Sequence, residues 1–173
     1  MDNKYQLRLY LLFVTISIAL FVSGCSEKVS ARPQAPNFTL TDIYGNQVSL
    51  DQFKGSPVIL DFWATWCPPC RMSIPELIKI QEEYRDKGLV VIGLSLDDPS
   101  QASNAYLKEF QKEYKINYLI LRANRRVVAD YFGYENPAIP TMFFVDREGR
   151  IVEKIVGFRP NAVKMVLAEL LKE

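Results

Sequence analysis

Two cysteines separated by two prolines are the residues of this chain whose types and spacing indicate chemistry. The sequence Cys67-Pro68-Pro69-Cys70 closely follows the apolar run Val58–Trp63. Proline is tolerated in the first turn of a helix because the N–H group that it lacks would have no intrahelical partner there. The pattern therefore predicts a helix that begins at about Pro68 and has Cys67 at its N-terminal end.

This placement gives the two sulfur atoms different roles. The thiol of Cys67 would lie close to the free N–H groups of Cys70 and Arg71, and the helix dipole would lower its pKa and favour the thiolate. Cys70 would lie one turn further along the same face, close enough to attack a disulfide formed at Cys67. We therefore assign Cys67, at an exposed helix tip, as the attacking thiol and Cys70 as the resolving thiol.

The alternatives for the cysteine pair are a zinc site, a structural disulfide and two buried, inert thiols. A tetrahedral zinc site needs four ligands, and because the chain has no histidine and only one further cysteine, two chains would have to share the metal. A disulfide across two residues closes so small a loop that it constrains the unfolded chain little. The prolines argue against inert thiols, since they hold the first sulfur at the helix tip.

The segment around the cysteines resembles the active-site segment of the thioredoxin superfamily. Its form, WATWCPPCR, is most similar to that of the TlpA/ResA-like membrane-anchored thiol-disulfide oxidoreductases. The likeness continues at Pro75, where the family kinks its first core helix, at Ile139-Pro140-Thr141, which matches the family's cis-proline loop, and at Gly157 after a late strand. It covers about residues 36–172.

The resemblance implies dithiol-disulfide exchange without a bound cofactor or metal, and a cis peptide bond between Ile139 and Pro140. This bond would present the backbone of Ile139 to an extended substrate that passes Cys67. The substrate-binding residues implied in this way are Trp66, Pro68, Pro69, Ile139 and Pro140.

An acidic residue, Asp61, lies inside the apolar run before the cysteines. We expect burial to raise the pKa of its carboxyl group, so that Asp61 can accept the proton of Cys70 near neutral pH. In the resemblance, Asp61 matches the buried acid of cytoplasmic-type thioredoxins, whereas TlpA/ResA-like proteins more often have Asn at this position.

A second departure from the family lies at Ser73. ResA-like proteins commonly carry a redox-active Glu three residues past the second cysteine, and here that position is Ser73. Either Asp61 takes over the task of this acid or the substrate preference differs. We interpret the nearby Glu76 as part of a solvent-exposed helix face.

The first 25 residues have the features of a targeting sequence. Lys4 and Arg8 precede an apolar run of 14 residues at 9–22, which is shorter than the roughly 20 residues of a membrane span. The tetrad Val22-Ser23-Gly24-Cys25 resembles a bacterial lipoprotein signal. We therefore predict a signal peptide over 1–24, a lipidated Cys25 with a tether over 25–35, and a folded domain over 36–173. An ordinary signal peptide or an uncleaved anchor are the alternatives, and both also place the domain outside the cytoplasm.

The composition predicts one globular domain. The chain has 173 residues, of which 49% are hydrophobic and 24% charged. Residues 25–173 carry equal numbers of acidic and basic residues, which argues against nucleic acid or a charged membrane surface as a partner. We expect a monomer.

The order of apolar segments and turn residues, together with the resemblance, predicts an α/β fold. This fold is a thioredoxin-like three-layer sandwich with a mixed β-sheet, an N-terminal β-hairpin and a central strand–helix insert. The predicted strands cover residues 38–41, 47–50, 58–63, 89–96, 118–121, 141–145 and 150–156, and the predicted helices cover residues 68–87, 102–114, 125–132 and 161–172, with a single helical turn capped by Asp51.

The resemblance implies an extracytoplasmic oxidoreductase that acts on protein disulfides, such as those of apocytochrome c or other exported thiols. A membrane protein related to DsbD or CcdA would supply its electrons. No basic residue between the cysteines stabilises the thiolate further, so we predict a reductant. The alternatives are a peroxiredoxin-type thiol peroxidase, which needs a lone cysteine in a Thr-x-x-Cys setting, and a metallochaperone, which would bind copper through cysteines plus histidine.

Overall fold

The structure is a computed structural model that describes residues 32–133 and 135–172. The predictions for Cys25, the signal peptide and the lipid anchor lie outside these residues. Within the described part of the chain, no helix is both long and apolar enough to cross a membrane.

A central strand, β3 (Val58–Trp63), organises the sheet, and all six of its residues are buried. It pairs in parallel with β4 (Val90–Ser95), which pairs in parallel with β5 (Leu119–Arg122). On its other side it pairs antiparallel with β6 (Thr141–Val145), which pairs antiparallel with β7 (Ile151–Val156). The strand order β5-β4-β3-β6-β7 is the predicted mixed sheet.

Three layers result because β3 is apolar on both faces. Ile59 and Trp63 pack with helices α1 (Pro68–Tyr84), α2 (Asn104–Glu113) and α4 (Pro160–Leu170). Leu60 and Phe62 pack on the opposite face with α3 (Arg125–Phe132) and the N-terminal hairpin of β1 (Thr39–Thr41) and β2 (Gln47–Ser49). Both the three-layer sandwich and the central insert, α2 with β5, are confirmed.

The short helical turn before β3 starts differently from the prediction. It covers Leu50–Phe53 and has Ser49 rather than Asp51 at its N-cap. The backbone N–H of Ser49 donates to Gln52 Oε1 at 3.2 Å, while Asp51 accepts a bond from the Asn37 side chain at 2.6 Å. The carboxylate of Asp51 is thus hydrogen-bonded to a residue outside the helical turn and does not cap it.

The compact unit that contains the sheet spans Arg32–Glu173. Residues 32–35, which the sequence pattern places in the tether, pair with the β6–β7 hairpin. The N–H of Ala35 donates to the carbonyl of Gly149 and the N–H of Ile151 donates to the carbonyl of Pro33, both at 2.8 Å. The folded region therefore extends four residues further toward the N-terminus than the pattern indicates.

Candidate active site

The two cysteines lie where β3 leads into α1. Helix α1 begins at Pro68, as predicted, with Cys67 at its N-cap. The two cysteines form a disulfide with their Cα atoms 5.3 Å apart, and the N–H of Cys70 donates to Cys67 Sγ at 3.3 Å. The N–H of Arg71 instead donates to the carbonyl of Cys67 at 3.2 Å, so one of the two predicted donors reaches the sulfur.

The prediction that Cys67 lies at an exposed helix tip is wrong, because only 3% of the residue is exposed and Cys70 is fully buried. The cover comes from a distant loop, whose Ile139 carbonyl oxygen lies 3.7 Å from Cys67 Sγ. The residues next to Cys67 in the sequence are exposed. They are Trp66, which is 64% exposed, Pro68 and Pro69.

The loop that covers Cys67 contains the predicted cis peptide bond between Ile139 and Pro140. Two hydrogen bonds hold the loop in place. Thr141 Oγ1 donates to the carbonyl of Ala138 at 2.6 Å, and the N–H of Gly157 donates to the carbonyl of Pro140 at 2.7 Å. The second bond explains the position of Gly157, which adopts a φ of +79° directly after β7.

Asp61 is fully buried on β3. Alternation along the strand turns its side chain toward the face that Ile59 and Trp63 share with Cys67 and Cys70. Burial raises the pKa of Asp61 to about 7. A carboxyl group with this pKa exchanges its proton near neutral pH, as the sequence predicts.

Ser73 is also buried, and its hydroxyl group donates to the carbonyl of Cys70 at 2.8 Å. The position at which ResA-like proteins commonly carry Glu thus holds a hydroxyl that bonds to the backbone of its own helix. Glu76, one turn further on, is partly buried and lies 3.7 Å from Lys164 Nζ, so it is not the fully solvated residue that the pattern predicts.

A role for Asp97 was not predicted, because its position after an apolar strand is typical of a turn and helix cap. The N-cap of α2 is Ser103, and Asp97 is 5% exposed. Its carboxylate accepts bonds from the Thr65 hydroxyl at 2.6 Å, the Thr65 N–H at 3.1 Å and the Ser95 hydroxyl at 2.9 Å. The signal for this role was the position of Asp97 just after the carboxyl end of β4, next to the strand that leads to Cys67.

Thr65 is fixed from a second side as well. Arg71 Nε donates to the carbonyl of Thr65 at 2.6 Å. The loop that carries Cys67 is therefore tied both to the end of β4 and to the first turn of α1. Among the described residues, no group of three or more His, Cys, Asp or Glu side chains is arranged to hold a metal ion.

Comparison with known proteins agrees with this geometry. Residues 31–154 match the model of the AhpC/TSA family. The thiol-disulfide oxidoreductase ResA of Bacillus cereus is 33% identical over 132 residues, which are 76% of this chain and 72% of that protein. The thioredoxin-like protein YneN of Bacillus subtilis is 36% identical over 124 residues, which are 72% of this chain and 70% of that protein.

A solved structure gives the same result. The crystal structure of a putative thiol:disulfide interchange protein DsbE from Chlorobium tepidum superposes with a TM-score of 0.70 at 31% identity, and the match covers 81% of this chain and 96% of that chain. The chain thus belongs to the AhpC/TSA family and is a thioredoxin-fold thiol-disulfide oxidoreductase of the ResA type.

Proposed function

We propose that this protein reduces disulfides of exported proteins on the extracytoplasmic side of a membrane, with apocytochrome c and other exported thiols as its substrate class. The observation that carries the proposal is the position of the Cys67–Cys70 pair at the start of α1, with the Ile139 carbonyl oxygen 3.7 Å from Cys67 Sγ. This arrangement places one sulfur and one backbone acceptor side by side, so that one substrate segment can engage both.

In the first step, the thiolate of Cys67 attacks a substrate disulfide, forms a mixed disulfide and releases one substrate thiolate. The N–H of Cys70, 3.3 Å from the sulfur, supports the negative charge before the attack. An extended substrate segment lies against the backbone of Ile139, beside Pro140, and contacts the exposed rim of Trp66, Pro68 and Pro69.

In the second step, Asp61 accepts the proton of Cys70. The Cys70 thiolate then attacks Cys67 Sγ, releases the second substrate thiolate and leaves the Cys67–Cys70 disulfide. Two electrons have passed from the protein to the substrate.

We expect Asp61→Asn to slow this step by about a hundredfold near neutral pH, because a general base typically contributes about 10²- to 10⁴-fold. Alkylation of Cys67 should stay almost unchanged. Equal resolution rates in the variant and the wild type would remove Asp61 from the mechanism.

The protein acts as a reductant in this proposal. Between the cysteines lie two prolines, which add no positive charge to hold the thiolate. We therefore expect a reduction potential close to the value of about −270 mV known for thioredoxin. A measured potential above about −150 mV would make the protein an oxidant, given that strong oxidants of this fold lie near −120 mV.

The proposal places the domain on a lipid attached to Cys25, as the tetrad at 22–25 suggests. A DsbD- or CcdA-type membrane protein would return two electrons to the Cys67–Cys70 disulfide after each turnover. The domain itself acts as a monomer that meets its substrate and its electron donor in turn.

The decisive experiment replaces Cys70 by Ser in the producing organism. The variant should retain its substrate as a mixed disulfide on Cys67, which mass spectrometry can identify after non-reducing electrophoresis. Cys67→Ser is the matched control and should retain nothing. If Cys70→Ser captures no protein and the wild type consumes peroxide but does not reduce insulin, the peroxidase alternative replaces the reductase.

A further inference from the structure

Four buried polar atoms have no hydrogen-bond partner among the described residues, and they belong to three side chains. They are both carboxylate oxygens of Asp61, the indole Nε1 of Trp63 and the phenol oxygen of Tyr118. Asp61 and Trp63 are fully buried, and Tyr118 is 5% exposed. Because a buried polar group without a partner destabilises the fold, three such side chains in one core call for an explanation.

Two of these side chains, Trp63 and Tyr118, lie over Gly93, and Asp61 is the strand partner of that glycine in the parallel ladder of β3 and β4. A Cβ atom on residue 93 would lie 2.8 Å from Trp63 Nε1 and 3.3 Å from Tyr118 Cε2. Glycine is thus needed here for space, because any side chain would collide with the indole.

The chemistry of the three groups is complementary. Trp63 and Tyr118 each carry one donor, whereas ionised Asp61 only accepts. Its neighbour on β6 is Met142, and the Cys67–Cys70 disulfide lies in the same core. Burial alone raises the pKa of Asp61, and no charged side chain of the described residues contributes to the shift.

The other buried carboxylates have partners of their own. Asp42 accepts bonds from Tyr44 and Asn46, Asp97 from Thr65 and Ser95, and Asp146 from Arg150. Asp61 is therefore the buried carboxylate of the described residues that has donors nearby but no bond to them.

Tyr118 keeps its proton over the whole working range of pH. Burial and, as a second cause, the charge of Asp61 raise the pKa of Tyr118 well above its ordinary value. The phenol therefore remains a hydrogen-bond donor when Asp61 ionises.

We propose that Trp63 and Tyr118 are positioning residues whose buried N–H and O–H groups stabilise ionised Asp61, and that they thereby set the proton affinity of Asp61. Ionised Asp61 has two acceptor oxygens, and Trp63 and Tyr118 contribute one donor each, so the donors match the acceptors in number. The proposal rests on the proposed function in one respect: the proton that Asp61 exchanges is the proton of Cys70.

The wild-type chain gives the first test, by NMR titration of the oxidised full-length protein. The chain has two tryptophans, so the exposed Trp66 serves as a reference for Trp63. We expect the indole N–H signal of Trp63 to shift with the same midpoint as the carboxyl carbon of Asp61, and the signal of Trp66 to stay constant. A Trp63 indole signal that stays constant while Asp61 titrates would contradict the proposal.

The second test removes the phenol hydroxyl with Tyr118→Phe. We expect the Asp61 midpoint to rise by about one pH unit, which leaves about tenfold less ionised base below the midpoint. The pH profile for resolution of a mixed disulfide at Cys67 should move upward by the same amount. Tyr114→Phe is the matched control, because Tyr114 packs at the edge of the same core and stacks on Phe110. It should leave both midpoints in place.

Trp63→Phe provides an independent variant if Tyr118→Phe fails to fold. It removes the indole N–H donor and should also raise the Asp61 midpoint. If both variants titrate Asp61 as the wild type does, the inference is overturned, and Asp61→Asn still decides the proposed function separately. If the midpoint moves while the resolution profile does not, the inference stands and the role of Asp61 as base falls.

Discussion

Asp61 makes folding depend on pH in the direction opposite to that of most acids. Burial raises the pKa of Asp61 from 3.8 to about 7 in the folded chain. Between these two values the folded chain holds a proton that the unfolded chain has lost. The free energy of unfolding must therefore fall as pH rises through this window, by up to about 1.4 kcal/mol per pH unit and about 4 kcal/mol in total.

Replacing the acid by its neutral isostere should remove this dependence. We expect Asp61→Asn to be about as stable as the wild type near pH 4, and to be more stable by about 2 to 4 kcal/mol near pH 8. Urea unfolding of the oxidised proteins at several pH values measures the difference. A constant difference across the range would show that Asp61 titrates normally.

Asp97 holds Thr65, which is two residues before Cys67, through two hydrogen bonds. Asp97→Ala leaves the Thr65 N–H and hydroxyl and the Ser95 hydroxyl without their acceptor. We expect a loss of about 2 to 4 kcal/mol in the free energy of unfolding. Insulin reduction should slow roughly tenfold, because small displacements of reacting groups have large effects on rate.

The adjacent Asp98 provides the control for this variant. Asp98 is exposed and accepts bonds from Ser100 in its own turn. Asp98→Ala should leave the rate of insulin reduction unchanged. Equal rates for the two alanine variants would mean that Asp97 does not position the loop.

At the scale of elements, Gln81 fixes the second half of α1 to the start of β4. Its amide group donates to the carbonyl of Leu89 at 3.1 Å and accepts from the N–H of Val91 at 2.7 Å. Gln81→Ala leaves two buried backbone groups unpaired, so we expect the free energy of unfolding to fall by about 2 to 3 kcal/mol. Glu82→Ala, on the exposed side of the same helix, should change it by less than about 0.5 kcal/mol. Thermal and urea unfolding of both variants test this.

Elements with a strong local signal were predictable from the sequence. The apolar run at 58–63 predicts strand β3, and Pro68 predicts the start of α1. Gly133, which follows Phe132 directly, predicts the end of α3. Local patterns fix such elements because side-chain periodicity and the missing proline N–H act within a few residues.

Features that depend on distant segments were missed. The burial of Cys67 depends on Ile139, which is 72 residues further along the chain. The role of Asp97 depends on Thr65, and the position of Tyr118 over Gly93 follows from the pairing of β4 with β5. No local pattern encodes these contacts, since each forms only when the sheet has assembled.

At the scale of the whole molecule, the start of the folded unit at Arg32 determines how far the domain can lie from a lipid on Cys25. The connection between these two residues spans at most about 25 Å when it is fully extended. The proposed anchor would therefore hold the start of the domain close to the membrane surface, on the side where the proposal places the substrates and the electron donor.

Loss of the lipid should change the cell fraction in which the protein is found but not its rate of disulfide reduction. We expect Cys25→Ser to move the protein from the membrane fraction to the soluble fraction, because the proposed acyl chains are its anchor. The rate of insulin reduction by the released protein should equal that of the wild type in detergent, since residue 25 lies outside the compact unit Arg32–Glu173. Ser26→Ala is the matched control and should stay in the membrane fraction. If Cys25→Ser also stays there, the apolar run at 9–22 anchors the chain as an uncleaved segment and Cys25 carries no lipid.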